Sequence, residues 1–560
     1  MRGLGSRAAG SAAAFAEVFR NPNLRWLELA WTASIIGHYA YLIAVSVYAY
    51  EVGGASAVGL VFLARLIPAA IAAPFAGLLG DRFPRERVLI GTNLTRIVLV
   101  GAAAIAALAE AEPIVVYVLA IAATIVNTPF RSAQAALTPT LARSPSELTA
   151  ANAVASGVDS LAFFIGPALA GIFMAVASSG VVFAITAGLI VISTLFLLLI
   201  RIEETERPRA EIEANTVLSE LFAGFRAIGS NRSLSVLMAL VAAQPAVAGA
   251  VQVFVVVASV ELFDLGTGGV GLLNSAIGIG AFLGAIAALS LTGVRRLSPA
   301  FMAGIATWGF PLMLLGIWPE AALAVVLFAV IGFGNSIAMV AGMTLVQRTV
   351  ADEVMARVFG IIQMLVMVSM GIGAALAPAL ISAFGIEGAL IAAGAFLPVL
   401  VALLGRPVAR IDATAKAPSA DELRILTGVP IFTPLPGASL EQLAARLVPL
   451  RVEAGSVIVR EGDEGDRFYI VADGELEVSQ DHVTIGGLVA GDYFGEIALL
   501  RDTSRTATVI ATTDAVLYAL DREDFLAAVT GHAQSAEAAE TVMSARLAGS
   551  AATGYRSAAQ

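Results

Sequence analysis

About twelve apolar stretches, each close to the ~20 residues that a helix needs to cross a bilayer, fill residues 26–405 of this 560-residue chain. They run approximately 26–50, 57–80, 88–109, 113–138, 150–177, 180–201, 233–262, 268–292, 297–316, 320–346, 355–383 and 387–405. The fold expected is membrane all-α. Composition agrees: 58% of residues are hydrophobic and 14% charged, which excludes a disordered chain, a collagen and an ordinary cytosolic enzyme. With no cysteine there are no disulfides, thiolate metal sites or cysteine nucleophiles, and no metal site is expected.

The formal net charge of -10 is not spread evenly. Residues 1–420 hold 23 Lys+Arg against 22 Asp+Glu, residues 421–530 hold 8 against 19, and the last 30 hold two of each sign. An almost neutral, very apolar region therefore precedes an acidic one of ordinary soluble composition. The first 25 residues lack the apolar core of a signal peptide, so no cleavage is expected.

The arginines also orient the chain. If the N-terminus is cytoplasmic, the inner loops carry Arg82, Arg85, Arg87, Arg143, Arg201, Arg207, Arg209, Arg295 and Arg296, among others. The outer turns carry acids only, such as Glu51, Glu110, Glu112, Glu261, Asp264 and Glu320. This positive-inside bias, with an even number of spans, predicts a multi-pass protein of the cell (inner) membrane with both termini in the cytoplasm.

The apolar region repeats. Spans four and five read Phe130-Arg-Ser-Ala-Gln-Ala-Ala-Leu-Thr-Pro, a short polar loop, then Gly166-Pro167-Ala-Leu. Spans ten and eleven read Met343-Thr-Leu-Val-Gln-Arg, a short polar loop, then Ala377-Pro378-Ala-Leu. The domain organisation predicted is a cytoplasmic segment 1–25, a six-helix half 26–201, a linker 202–232, a second half 233–405 and a linker 406–420. A rocking transporter has this two-halves layout.

The loop Gly77-Leu-Leu-Gly-Asp81-Arg82-Phe-Pro-Arg85-Glu-Arg87 is similar to the Gly-x-Leu-Ala-Asp-Arg-x-Gly-Arg-Lys signature of the major facilitator superfamily (MFS), although Pro84 and Glu86 depart from it. Gly166-Pro167-Ala-Leu-Ala-Gly171 resembles the span-five motif of its antiporter members. With Asn21-Pro-Asn-Leu-Arg, the pattern looks most like the drug- and siderophore-exporter-like branch. The resemblance covers residues 20–405. It implies a 12-span, two-halves fold in which Gly77, Asp81, Arg82, Arg85, Gly166 and Pro167 form a conformational latch. The plainer alternatives are a basic loop that only sets topology and a packing kink at Pro167.

Ionisable groups inside a bilayer cost about 2.5–3.5 kcal/mol each on insertion scales, so each needs a reason. The candidates are His38, Arg65, Arg96, Arg131 and Asp159, all in the first half. Asp159 is the single deep carboxylate in this reading and the best candidate proton carrier; His38 titrates near neutrality and is a second. Structural alternatives are Asp159 neutralising Arg96, Arg131 bonded to Asp81, and His38 satisfied by a neighbour. Three arginines against one acid favour an anionic or amphiphilic small-molecule substrate.

Residues 421–530 show short strands with glycine turns between flanking helices, a β-roll or jelly roll. Within them, Gly491-Asp-Tyr-Phe494-Gly495-Glu496-Ile497-Ala498-Leu-Leu, followed by Ser504-Arg505-Thr506-Ala507, closely resembles the phosphate-binding cassette of cyclic-nucleotide-binding domains. The residue types suit the ligand. Arg505 can fork onto two phosphate oxygens, Glu496 can accept from a ribose 2′-hydroxyl, and Gly495 permits close backbone approach. The resemblance adds Ala498 for backbone contacts and Thr506 for the phosphate or base. It implies cAMP as regulatory ligand, with cGMP the alternative because a Thr after the arginine also occurs in cGMP-preferring domains. Residues 523–548 read as a helix, and Met543, Leu547 or Tyr555 are candidates for a lid over the base; the alternative is a frayed tail 531–560.

Together these readings predict a secondary transporter, not an enzyme: an exporter coupled to protons and regulated by cyclic nucleotide. The competing reading is a membrane-anchored nucleotide receptor that transports nothing. No nucleic-acid partner is expected, since an acidic domain repels DNA and nothing after residue 530 reads as a helix-turn-helix. Nothing in the sequence argues for an oligomer.

Overall fold

The computed structural model describes residues 18–143, 145–201, 229, 232–288, 296–349, 352–414, 420–435, 437–530 and 535–544. The chain divides into two compact units, one running to Asp412 and the other starting at Ala413.

The first unit is helical. Its elements are α1 (Pro22–Arg82), α2 (Arg85–Leu108), α3 (Pro113–Leu141), α4 (Pro145–Val176) and α5 (Ser179–Leu198), then α6 (Arg232–Val257), α7 (Gly266–Ala288), α8 (Ser298–Ile317), α9 (Ala321–Thr349) and α10 (Asp352–Thr414). All ten are long and apolar enough to cross a membrane. Two are double-length, each with an apolar stretch of 52 residues. In α1 the helix breaks at Gly53 and Gly54 (φ 62°, ψ -159°), and in α10 at Gly385 (φ 68°, ψ 173°). The conformations of Gly54 and Gly385 are essentially reserved for glycine. Among the described residues, eight single and two broken helices thus account for the twelve spans.

One boundary differs. Helix α10 continues to Thr414, so residues 406–414 are helical where a linker was expected, and Pro407 sits within the helix. A helical proline removes one hydrogen bond but does not end a helix held on both sides. After α6, residues Ala258–Leu262 continue the span as a turn of π-helix and end it at Leu262, where the expected span 233–262 ends.

The two halves touch through glycines, along the middle of the helices and toward the end that carries Gly53–Gly54 and Gly385. A Cβ on Gly271 of α7 would lie 2.4 Å from the Cα of Gly171 in α4, and one on Gly278 would lie 2.7 Å from the Phe163 carbonyl oxygen. Gly59 of α1 approaches Ala374 of α10 in the same manner. At that end the Tyr50 hydroxyl donates a short hydrogen bond to Glu261.

The second unit has two four-stranded antiparallel sheets, ordered β1-β8-β3-β6 and β2-β7-β4-β5. The strands are β1 (Val448–Val452), β2 (Val457–Val459), β3 (Arg467–Asp473), β4 (Leu476–Gln480), β5 (Val483–Leu488), β6 (Tyr493–Phe494), β7 (Thr508–Ala511) and β8 (Ala515–Asp521). Val471, Leu476, Val509 and Leu517 fill the space between the sheets. Helices α11 (Ala420–Thr427), α12 (Gly437–Arg446) and α14 (Arg522–Thr530) cover one side through a cluster centred on Phe432, Phe468 and Phe525; the last two stack 4.8 Å apart. A six-residue helix, α13 (Glu496–Arg501), interrupts the strands. Of the helix expected over 523–548, residues 522–530 and 535–544 are seen as helical, and 531–534 and 545–548 lie outside the described residues.

Candidate functional site

The β-roll contains a cavity of about 360 Å³, within the ~300–1,000 Å³ usual for small-ligand pockets. All eight residues singled out in the cassette line it: Phe494, Gly495, Glu496, Ile497, Ala498, Arg505, Thr506 and Ala507. Two segments build this wall. Strand β6 turns through Gly495 (φ 94°) into α13, and the loop 502–507 leads into β7. Gly495 is required twice over, by its left-handed backbone and because a Cβ there would lie 2.6 Å from an Arg505 Nη1.

Arg505 and Glu496 are both buried, with 4% and 1% of their surface exposed. The Arg505 guanidinium donates to the carbonyls of Gly495 (3.2 Å) and Arg467 (2.8 Å), and its Nη2 lies 3.1 Å from an Asp466 carboxylate oxygen. Its carbon stands 5.8 Å from the Tyr469 ring centre. Burial raises the Tyr469 phenol above its ordinary pKa, so that ring stays neutral beneath the cation. The loop backbone is equally fixed: Arg505 N–H donates to Asp463 O, and Gly462 N–H to Arg505 O. The fork is thus fixed in place, and Asp466 is the acceptor that a phosphate would displace or share it with.

Sequence reasoning missed the opposite wall, where Val478, Gln480, Ile485, Gly486, Gly487 and Leu488 come from β4 and β5. Period-two alternation along these strands was the available signal, though it does not show which face meets a ligand. Asp466 was also missed. Met543 is described and is not among the cavity-lining residues. Its helix instead packs Ala536, Ala539 and Val542 on the helical cluster, which is why Met543 does not close the site here. Leu547 and Tyr555 lie outside the described residues.

In the helical unit the intramembrane ionisable groups gather in the first half. Asp159 is bonded to Arg131 at 2.8 Å and accepts from the Trp31 indole at 2.9 Å. Arg96 donates instead to Ser34 (3.0 Å) and Asn93 (3.3 Å), so the Asp159–Arg96 pairing considered from sequence is not formed. His38 has its ring 5.8 Å from that of Tyr39 and stands within electrostatic range of Arg96, Arg65 and Arg131. Arg65 is 2% exposed and lies over the rings of Phe62 and Tyr41. One correction concerns Asp159 as the single deep carboxylate: Glu28 is 1% exposed, with neither carboxylate oxygen hydrogen-bonded among the described residues. It lies only three residues into the expected span, but α1 begins at Pro22 and carries it inside.

For the latch motif, the side chains of Gly77, Asp81 and Arg82 lie outside the described residues. Arg85 reaches across to α3, donating to the Ala136 carbonyl and to Thr140. A Cβ on Gly166 would meet Tyr39 and Ile36 of α1, while the Pro167 carbonyl borders Gly271 of α7. Gly166 therefore packs within the first half, and Pro167 borders the second.

The family model of the Major Facilitator Superfamily matches residues 27–369, with a second match over 294–448, and that of the cyclic nucleotide-binding domain matches residues 449–532. A point mutant of the nucleoside transporter NupG superposes over 70% of this chain and 100% of its own with a TM-score of 0.59 at 13% identity, a likeness of fold. A cGMP-dependent protein kinase (egl-4) from Caenorhabditis briggsae is 43% identical over 84 residues, 15% of this chain and 11% of the kinase. A cAMP-dependent protein kinase regulatory subunit from Schizosaccharomyces pombe is 39% identical over 102 residues, 18% of this chain and 25% of the subunit. The chain thus spans a quarter or less of the length of these two relatives.

Proposed function

The chain belongs to the Major Facilitator Superfamily and carries a C-terminal cyclic nucleotide-binding domain, and from that premise we propose a secondary transporter whose cycle is set by cytosolic cyclic nucleotide. It exports a small organic molecule, anionic or amphiphilic, in exchange for protons. The observation that carries the regulatory half is the cavity that unites Arg505, Glu496 and the rest of the cassette. A nucleotide held there shifts the transport equilibrium by its differential affinity for two conformations.

Supporting the transport half is a first half that keeps two carboxylates, three arginines and a histidine within its spans, an expense with no purpose in a mere anchor. Asp159 and His38 are the proposed coupling groups, and residues 77–85 with Gly166–Pro167 the latch. The excess of arginine on one set of loops supports the inner-membrane, both-termini-inside orientation, and the motif pattern supports an exporter-like branch. The proposed nucleotide is cAMP. Relatives of both the cAMP- and cGMP-dependent kinds match the domain and Thr506 is compatible with either nucleotide, so the choice is decided by titrating both. In proteoliposomes, cAMP on the domain side changes the flux of a transported solute, and Arg505→Glu removes the change. If no solute of a broad organic panel moves while nucleotide still binds, the protein is the receptor instead.

A further inference from the structure

We infer that Arg65, with Arg96, anchors the oxyanion of the transported molecule, and that the substrate class is a small organic monoanion with an apolar or aromatic body. This deepens the transport reading above and rests on it.

The inference follows from a charge count within the first half. Of its three interior arginines, Arg131 is neutralised by Asp159 at 2.8 Å. Arg96 is 3% exposed and, among the described residues, meets the neutral oxygens of Ser34 and Asn93. Arg65 is buried more completely still, and its Nε and Nη1 find no acceptor among the described residues. It lies 5.1 Å from the Phe62 ring centre and 5.8 Å from that of Tyr41. Tyr41 donates its hydroxyl to the Ala120 carbonyl, so it offers Arg65 a ring face. Ring faces ease the burial of a cation without supplying the acceptors that its N–H groups require.

The remaining carboxylate cannot balance Arg65. Glu28 and Tyr41 are thirteen residues apart on the same helix, roughly 20 Å at 1.5 Å per residue. Among the described residues Arg65 is therefore a buried cation without a counterion, an arrangement costly enough that a ligand must be expected to complete it. Ser34, which Arg96 bonds, and Tyr41, whose ring Arg65 faces, stand seven residues apart on α1, about two turns along one side of the helix, so both guanidiniums border the same helix face. A carboxylate suits a guanidinium fork bidentately, and the walls of Phe62, Tyr41 and Phe130 suit an apolar body beside it.

The test uses the full chain in nanodiscs of phosphatidylcholine alone. Thermal unfolding is followed with benzoate, octanoate and benzenesulfonate, each beside its neutral amide. The expected result is a saturable rise in midpoint with at least one anion and none with its amide. Arg65→Gln weakens that binding roughly tenfold to a hundredfold, the worth of one or two charge-assisted hydrogen bonds, and Arg65→Lys retains part of it. Equal effects of anions and amides overturn the proposal, as does undiminished anion binding in a folded Arg65→Gln protein. If Arg65→Gln does not fold, the wild-type contrast and Arg65→Lys decide alone. Phosphatidylglycerol that suppresses benzoate binding assigns Arg65 to a lipid headgroup and also overturns it. Anion binding without flux sinks the transport reading and leaves the site standing; flux without anion preference does the reverse.

Discussion

Arg505 is ion-paired to Asp466: the guanidinium is 3% exposed, the carboxylate 70%, and they approach to 3.1 Å. The pair stands beside a cavity suited to an anion, so an arriving phosphate must compete with, or share, the carboxylate's hold on the fork. Asp466→Asn removes the competitor. Because Asp466 is so exposed, the gain is small: cyclic nucleotide binds tighter by less than about fivefold. Arg505→Ala leaves the phosphate buried without its countercharge and weakens binding about a hundredfold or more. Calorimetry on the detergent-solubilised protein reads both.

Glu496 is predicted to read the ribose. In the wild-type protein a 2′-deoxy cyclic nucleotide binds roughly tenfold to a hundredfold more weakly than the parent, the worth of a hydrogen bond to a charged group. In Glu496→Ala the two ligands bind alike. A deoxy penalty that survives the substitution assigns the ribose contact elsewhere.

Gly495 combines a left-handed backbone with close packing under Arg505. Gly495→Ala therefore strains the turn and pushes the guanidinium off its carbonyl acceptors. Nucleotide affinity falls while transport without nucleotide is unchanged, because the change is confined to the second compact unit.

Much of this was legible in the sequence, and for identifiable reasons. Twelve spans could be counted because hydrophobic length is set by the bilayer, and the cassette stood out because phosphate recognition demands a particular glycine, acid and arginine close together along the chain. The β4–β5 wall, with Gln480 and Leu488, was not legible, since alternation marks two faces without naming the ligand side. Glu28 was overlooked because a charge near the start of a span reads as interfacial until the true helix start is known. The partners of Asp159 and Arg96 could not be chosen either, because pairing inside a bundle depends on helix rotation.

The glycine contacts between helices of the bundle make a conformational prediction. A Cβ on Gly59 would lie 2.5 Å from the Ala374 carbonyl oxygen, so Gly59→Val cannot keep α1 and α10 this close. The chain has no cysteine, so Tyr50→Cys with Glu261→Cys gives a clean pair for a short bismaleimide. Cross-linking is efficient in that background and falls when Gly59→Val is added. Unchanged cross-linking means the halves do not part there.

The most direct test of the account is solute flux in proteoliposomes, with and without cAMP on the side of the C-terminal domain. The account predicts that cAMP changes the flux of wild-type protein and leaves that of Arg505→Glu unaltered. Wild-type protein that binds cAMP while carrying its solute at the same rate with and without it would contradict the central claim.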